Sequence, residues 1–407
     1  MISSTWRVFG SAVALLTAAA CDLSISNPGP VADEALDDAS AHPAMVGGMG
    51  RSLSKALGYI AYTSAVASRE IVSAGHRNPV TLGITPKQAV GVLDSDWEES
   101  NDHWKFAQQA RWVAEDGARR IEEALGDDTN SSELAAQAFV HVGFANRLLG
   151  ENMCAAVFDG GPEEPRVRYF ERADTAFTRA IEIATAAGAG NLANAARAGR
   201  SSVRMWLGKW DEAAADAAQV PLGFVYRALY SSTEQEQFNR MFAANVTTQR
   251  AHSVFDTFFD AYFRQSGDQR TPWSTDAAFP TGTANVPWYF QTKFASRSAP
   301  INLASGREMR LIIAESQLRG GDWASALATI NSLRVLSGVT PWVASDVMET
   351  WTALSRERGI ELWLEGRRLG DLFRWEEEGA PGIREEMTGR DMCFPIGISE
   401  LDANPNI

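Results

Sequence analysis

Residues that build metal centres and disulfide-rich folds are scarce in this chain. It contains three cysteines and five histidines among 407 residues. No two cysteines form a C-x-x-C pair and no two histidines lie four residues apart, so the usual zinc-ligand spacings are missing. The P-loop, the dinucleotide-binding G-x-G-x-x-G and the hydrolase G-x-S-x-G are missing as well. The sequence therefore predicts neither a metal ion nor a cofactor.

Positive charge is also in short supply. The chain has 37 lysines and arginines against 51 aspartates and glutamates, a formal net charge of −14. Because a protein that binds nucleic acid needs a basic surface, a nucleic-acid partner is not expected. Hydrophobic residues make up 45% of the chain, which is typical of a globular protein with a large core.

Residues 1–20 have the features of an export signal. Arg7 precedes an apolar run that is too short to span a bilayer as a mature helix. Three alanines then precede Cys21, an arrangement that a lipoprotein signal peptidase accepts. We predict a lipoprotein signal peptide at 1–20, lipidation of Cys21 and a tether over 21–42. An ordinary secretory signal is the alternative.

Cys154 and Cys393 are the cysteines that remain after Cys21. Two cysteines do not make a disulfide scaffold. They could form one bridge, but we expect two buried free thiols.

Most of the chain shows helical periodicity, which predicts a mainly α fold with a single domain over 43–407. Its scaffold is expected at about 96–220 and 305–378. Between these halves, residues 221–304 contain several prolines and many aromatic residues, and helical periodicity fails. We predict an irregular, loop-rich insert there, and a closing segment at 379–407, because long ordered loops often carry function.

A short pattern occurs twice in the scaffold. Residues 208–213 and 321–326 both follow G-x-W-x-x-A, with an apolar helix before each glycine and a new helix after it. The pattern resembles the tetratricopeptide helical hairpin. Residues 43–75 also look helical, but Gly47, Gly48 and Gly50 are expected to break that helix.

The segment from Arg356 to Trp375 combines charge with a large apolar load. Arg358, Glu361, Glu365 and Arg368 are spaced three, four and three residues apart, so one helix would place them on one face. We expect a single helix whose charges pair with one another. A glycosidase would use two carboxylates in this way, but arginine partners keep carboxylates ionised, which favours a structural role.

Three segments together are similar to the SusD/RagB family of outer-membrane nutrient-binding lipoproteins. The first follows R-x-x-E-L-x-x-E-G-x-R-x-x-D-L-x-R-W over 358–375 and includes Asp371. The second is Phe394-Pro395-Ile396 with Glu400 and Asn404-Pro405-Asn406, and the third is 307–315 with the following G-x-W. The resemblance is close over 305–407, loose over 21–220 and absent in the middle of the chain.

The resemblance implies a lipid-anchored protein on the cell surface at the outer membrane, without catalysis. It would capture an oligosaccharide or a peptide-like nutrient and deliver it to a SusC-like, TonB-dependent transporter. Two alternatives remain: a helical-repeat interaction scaffold of the cell envelope, and a surface glycoside hydrolase.

A sugar-binding site needs aromatic faces for C–H groups and polar side chains for hydroxyls. The insert offers both, on loops next to proline. We predict ligand-binding residues Trp273, Trp288, Tyr289 and Asn285, with Trp97 as a weaker candidate, and a structural role for Arg358, Glu361, Glu365, Arg368 and Asp371.

Overall fold

Helices make up most of the fold. The computed structural model describes residues 33–75, 84–95, 98–246, 248–381 and 387–407. Within these residues lie the helices α1 His42–Ala67, α2 Pro86–Ala89, α3 Glu98–Leu125, α4 Glu133–Asn152, α5 Val167–Ala186, α6 Gly190–Trp206, α7 Trp210–Gln219, α8 Arg240–Ala243, α9 Phe258–Ser266, α10 Gly306–Arg319, α11 Trp323–Leu336, α12 Val347–Glu361, α13 Arg368–Glu377 and α14 Ile398–Ala403. The predicted mainly α fold is confirmed. Over the described ranges, no helix is long and apolar enough to cross a membrane.

The long helices stack in sequence order. Neighbours from α3 to α7 pack on one another, and α1 packs against α3 and α4. After the insert, α10 packs on α7, and α11 and α12 pack on α10. The helical stack is therefore continuous from α7 to α10, although the insert separates these helices in the sequence.

The two G-x-W-x-x-A copies form the predicted helical hairpins. Gly208 and Gly321 adopt left-handed backbone conformations, with φ of 70° and 86°, which suits a residue without a Cβ at the end of a helix. The next helices begin at Trp210 and Trp323. The alanine three residues after each tryptophan is fully buried, so the two helices of each hairpin approach closely.

The expected break in the first helix does not occur. α1 runs unbroken through Gly47, Gly48 and Gly50. Each glycine costs only about 1 kcal/mol relative to alanine in a helix. Leu53, Leu57 and other side chains of α1 are fully buried against the scaffold, and this packing outweighs that cost.

The end of the predicted tether is folded onto the scaffold. Residues 33–37 and 39–41 form 3-10 turns. Asp33 and Asp37 both accept hydrogen bonds from Arg120 of α3, at 2.9 and 2.8 Å. The last part of the predicted tether, 33–41, therefore packs on the scaffold, whereas 21–32 lie outside the described residues.

The strands are short and form four two-stranded antiparallel sheets in the described part of the chain. They are β1 Val72–Ser73, β2 Ala155–Ala156, β3 Glu164–Pro165, β4 Val225–Ala228, β5 His252–Ser253, β6 Trp273–Ser274, β7 Phe290–Gln291 and β8 Ile301–Ser305. The pairs are β1 with β5, β2 with β3, β4 with β8 and β6 with β7. The insert thus consists of short strands and helices joined by irregular loops.

The predicted single helix over 356–375 is also wrong, because α12 ends at Glu361 and α13 begins at Arg368. Leu364 and Gly366 between them have φ of 61° and 72°, values that a helix cannot contain. The Leu364 side chain is fully buried. The turn is therefore stabilised by packing that residue spacing alone does not reveal.

Cys154 and Cys393 form a disulfide, which corrects the expectation of two free thiols. The Phe394 amide donates to the Asn152 carbonyl at 2.8 Å, and the Cys154 amide donates to the Phe394 carbonyl at 2.9 Å. The closing segment is thereby held against the end of α4. The cysteines lie 239 residues apart, so spacing in the sequence does not predict their meeting.

Candidate ligand-binding site

Two of the predicted aromatic residues stack on each other in the insert. Trp273 lies in β6, and Tyr289 immediately precedes β7, its antiparallel partner strand. The ring centroids lie 4.8 Å apart with an interplanar angle of 13°. The short strand pair therefore brings together two residues that are sixteen positions apart in the sequence.

Two further aromatic rings extend this pair. Phe255 meets the edge of Tyr289 at 5.5 Å, and Phe263 of α9 lies 5.7 Å from Trp273. All four residues are half-buried. We call Phe255, Phe263, Trp273 and Tyr289 the aromatic platform. Their partial exposure leaves apolar ring surface available for a ligand, which a sugar C–H face can cover.

An arginine borders the platform. The guanidinium carbon of Arg264 lies 4.6 Å from the Trp273 ring centroid and 4.9 Å from that of Tyr289. Its Nε donates to Asp260 Oδ1 at 2.6 Å, while 51% of its side chain stays exposed. A held but accessible guanidinium can donate hydrogen bonds to hydroxyl groups. Sequence reasoning missed this residue, although it directly follows Phe263.

Two residues beside the platform adopt left-handed backbone conformations. Arg69 and Asp256 have φ of 58° and 57°, an uncommon range for residues other than glycine. Arg69 Nη2 donates to the Asp256 carbonyl at 2.8 Å, and Asp256 directly follows Phe255 of the platform. Such strained residues concentrate at functional sites, which marks this surface as a candidate site.

The other predicted ligand-binding residues fall elsewhere. Trp288 is only 2% exposed, and its Nε1 donates to Asn245 Oδ1 at 3.3 Å. It is a core residue and offers no surface to a ligand, so that prediction is wrong. Asn285 is exposed at the tip of the loop beyond the Thr281–Pro287 bridge, away from the strand pair that holds the platform. Trp97 lies outside the described residues, as does Cys21.

The predicted ion-pair residues are buried, but their partners differ from those expected. Arg358 pairs with Asp371 through two hydrogen bonds of 2.9 Å, across the break between α12 and α13. The guanidinium of Arg368 lies 5.5 Å from the Phe259 ring centroid in α9. The charges therefore do not form a ladder along one helix.

Both glutamates of this segment bind residues of other segments. Glu361 accepts hydrogen bonds from Arg307 at 2.6 Å and from Arg270 at 2.9 Å. Glu365 pairs with Lys293 Nζ at 2.9 Å. Arg270 and Lys293 lie just before β6 and just after β7, respectively. The two glutamates thus bind both strands of the platform pair at its open end, just before β6 and just after β7.

The pKa values of the two glutamates are shifted in opposite directions. Burial alone would raise the pKa of Glu361, but Arg307 and Arg270 outweigh it and hold that pKa below its usual range. Burial raises the pKa of Glu365 above its usual range despite Lys293. The expected arginine partners are therefore present for Glu361, whereas the partner of Glu365 is a lysine.

The sequence profile of the SusD family matches residues 265–394, which include β6, β7 and the ion-pair network. This part of the chain is therefore similar to the SusD family. This confirms the resemblance found in the sequence and extends it into the insert, where sequence reasoning found no likeness. No curated protein matches the chain in sequence.

Several solved structures share the fold of this chain. A SusD superfamily protein from Bacteroides vulgatus has a TM-score of 0.67 at 13% identity, over 90% of this chain and 97% of its own. A laminarin-binding SusD-like protein has a TM-score of 0.67 at 14% identity, over 90% and 99%. A SusD-like carbohydrate-binding protein from Bacteroides vulgatus has a TM-score of 0.51 at 16% identity, over 81% and 83%.

Proposed function

We propose that this protein binds oligosaccharides at the aromatic platform, without catalysis. The observation that carries the proposal is the stacked, half-buried pair of Trp273 and Tyr289 with the accessible guanidinium of Arg264 beside it. Aromatic rings cover the apolar faces of sugars, and a fixed guanidinium donates to their hydroxyls. Structural neighbours described as laminarin-binding and carbohydrate-binding add support.

Burial argues against the hydrolase alternative. The side chains of Glu361 and Glu365 are 9% and 4% exposed, and both are committed to ion pairs. A general acid or nucleophile must reach the bond that it cleaves. Incubation with oligosaccharides is therefore expected to release no new reducing ends.

We further propose that the protein is a lipid-anchored component of an outer-membrane uptake system. Cys21 would carry the lipid, the outer membrane would be its location, and a SusC-like, TonB-dependent transporter would receive the ligand. The predicted export signal and the similarity of 265–394 to the SusD family support this proposal. A Cys21→Ser variant should leave the membrane fraction, and the wild type should co-purify with a large β-barrel protein. This part is refuted if Cys21→Ser stays in the membrane fraction and the wild type co-purifies with no such barrel.

The binding proposal is tested with a panel of neutral oligosaccharides, starting with β-1,3-glucans and including α-glucans, xylans and mannans. Titration calorimetry and intrinsic tryptophan fluorescence should detect at least one ligand. Trp273→Ala and Tyr289→Ala should each weaken its binding at least about tenfold, since about 1.4 kcal/mol corresponds to a factor of ten.

Trp112→Ala is the matched control, because Trp112 is 55% exposed on α3 and belongs to no part of the platform. It should bind like the wild type. Equal losses in Trp112→Ala and Trp273→Ala would contradict a platform site. If this protein binds other proteins but no oligosaccharide or peptide, the interaction-scaffold alternative is favoured instead.

A further inference from the structure

A second cleft opens between α1 and the segment 234–249. Its volume is about 800 Å³, within the range of pockets that hold small organic ligands. None of the four platform residues lines it. The cleft is therefore a separate site, and the platform does not account for it.

Unpaired arginines distinguish this cleft. Arg51 and the two lining glutamates are already in ion pairs, Arg51 with Glu234 and Lys55 with Glu236. Arg240 and Arg297 also line the cleft, and no carboxylate among the described residues forms an ion pair with either. In a chain with a net charge of −14, two uncompensated cations in one cleft favour an anionic ligand.

Aromatic rings hold the two arginines in place. The guanidinium of Arg240 lies 3.6 Å from the Tyr59 ring centroid, and that of Arg297 lies 4.8 Å from the Phe238 ring centroid. Ring faces orient a guanidinium while leaving its N–H groups available for hydrogen bonds. The Arg240 Nε is in fact buried without a hydrogen-bond partner in the described part of the chain.

One asparagine brings the two arginines to the same wall. Asn239 donates its backbone amide to the Arg297 carbonyl at 2.7 Å and its side-chain amide to the Ala299 carbonyl at 2.8 Å. Its Oδ1 accepts from the Phe242 amide at 3.1 Å and so caps α8. Arg240, the first residue of α8, is thereby fixed next to the segment that carries Arg297.

We propose that this cleft binds a saccharide that carries a carboxylate, such as a uronic-acid oligosaccharide. Arg240 and Arg297 would bind the carboxylate, since a guanidinium offers two parallel donors to its two oxygens. Gln235, Gln249 and Thr248 also line the cleft and supply neutral partners for hydroxyl groups. The saccharide part of this inference rests on the proposed function, whereas the anion part rests on the two arginines alone.

The test measures affinities, by titration calorimetry at low ionic strength, for oligomers of galacturonic, glucuronic and mannuronic acid. Oligomers of galactose, glucose and mannose of the same length are the neutral counterparts. At least one acidic oligomer should bind more tightly than its counterpart, and added salt should reduce the difference. Arg240→Gln and Arg297→Gln should each weaken binding of that acidic oligomer about tenfold or more, because each removes a charge-assisted hydrogen bond.

Arg197→Gln on α6 is the matched control and should bind like the wild type, since Arg197 lines no part of the cleft. Both cleft variants should retain the wild-type melting temperature and the affinity for neutral oligosaccharides at the platform. The inference is overturned if no acidic oligomer is preferred, or if the preference survives both substitutions. If the protein still binds neutral oligosaccharides, either of these two results refutes only the cleft inference. If the protein binds no saccharide at all, the proposed function is refuted.

Discussion

Glu315 is a buried carboxylate whose removal should destabilise the scaffold strongly. Its side chain is fully buried in α10. Arg374 donates to both of its oxygens, at 2.7 and 2.9 Å, and Trp375 Nε1 and Arg319 Nη2 each donate to Oε1 at 2.9 Å. The substitution Glu315→Gln keeps the size of the side chain but removes the charge that Arg374 requires.

The magnitude follows from the pKa of Glu315. Burial alone would raise this pKa, but Arg374 and Arg319 lower it from 4.5 to about 2. Such a difference between the unfolded and folded chain corresponds to about 3 kcal/mol of folding free energy. Removal of one partner of a buried ion pair costs about 3–5 kcal/mol. We therefore expect Glu315→Gln to lower the free energy of unfolding near neutral pH by about 3 kcal/mol.

The sign of the pH dependence follows from the same pKa. Because the folded pKa is depressed, the contribution of Glu315 is fully present above pH 4.5 and is lost as the pH falls from there to about 2. The difference between wild type and Glu315→Gln should therefore shrink in acid. Urea unfolding followed by far-UV circular dichroism, at neutral and acidic pH, measures this difference.

Glu378→Gln is the control, because Glu378 also pairs with Arg374, at 3.3 Å, but its side chain is 26% exposed. Partly exposed ion pairs contribute roughly 0–1 kcal/mol. The reasoning about burial is refuted if the two variants unfold at the same urea concentration, or if the effect of Glu315→Gln is unchanged at acidic pH.

Three further outcomes are expected. Cys154→Ser should lower the melting temperature through a loss of about 2–5 kcal/mol, because the disulfide closes a loop of 239 residues; an unchanged melting temperature would argue against the bridge. Gly199→Ala should destabilise by about 1–3 kcal/mol, because its Cβ would overlap the buried Phe177 ring, whereas Gly190→Ala has open space and should unfold like the wild type in urea. Burial raises the pKa of Glu70 to about 7, so the folded chain binds the carboxyl proton of Glu70 more tightly than the unfolded chain and loses stability as the pH rises from about 4.5 to about 7. Glu70→Gln should flatten that part of the plot of unfolding free energy against pH. A plot identical to that of the wild type would contradict this expectation.

Local sequence patterns predicted the helical scaffold well because each pattern depends on near neighbours. The glycine, tryptophan and alanine of each hairpin act within six residues, and their helix boundaries agree with the structure. The errors lie where distant contacts decide. The turn at Leu364 depends on packing and on a hydrogen bond from its amide to Glu70 Oε1, at 2.7 Å. The two residues are 294 positions apart, and no periodicity connects them.

The candidate site was predictable only in part for the same reason. Trp273 and Tyr289 were singled out as aromatic residues on proline-flanked loops, and the structure stacks them. Trp288 has the same sequence context but points into the core, where it is 2% exposed. Adjacent residues of an extended segment face opposite sides, so either Trp288 or Tyr289 faces the core. The sequence alone does not say which one.

The segment 356–375 is joined to the platform strands by two ion pairs. Glu361 binds Arg270, three residues before Trp273, and Glu365 binds Lys293, four residues after Tyr289. The scaffold does not need the insert for its own continuity, since α10 packs directly on α7. The scaffold provides two carboxylates at fixed positions, and these bind both platform strands at the open end of the pair. The segment that resembles an active-site strip in the sequence therefore positions the two strands that carry the proposed binding site.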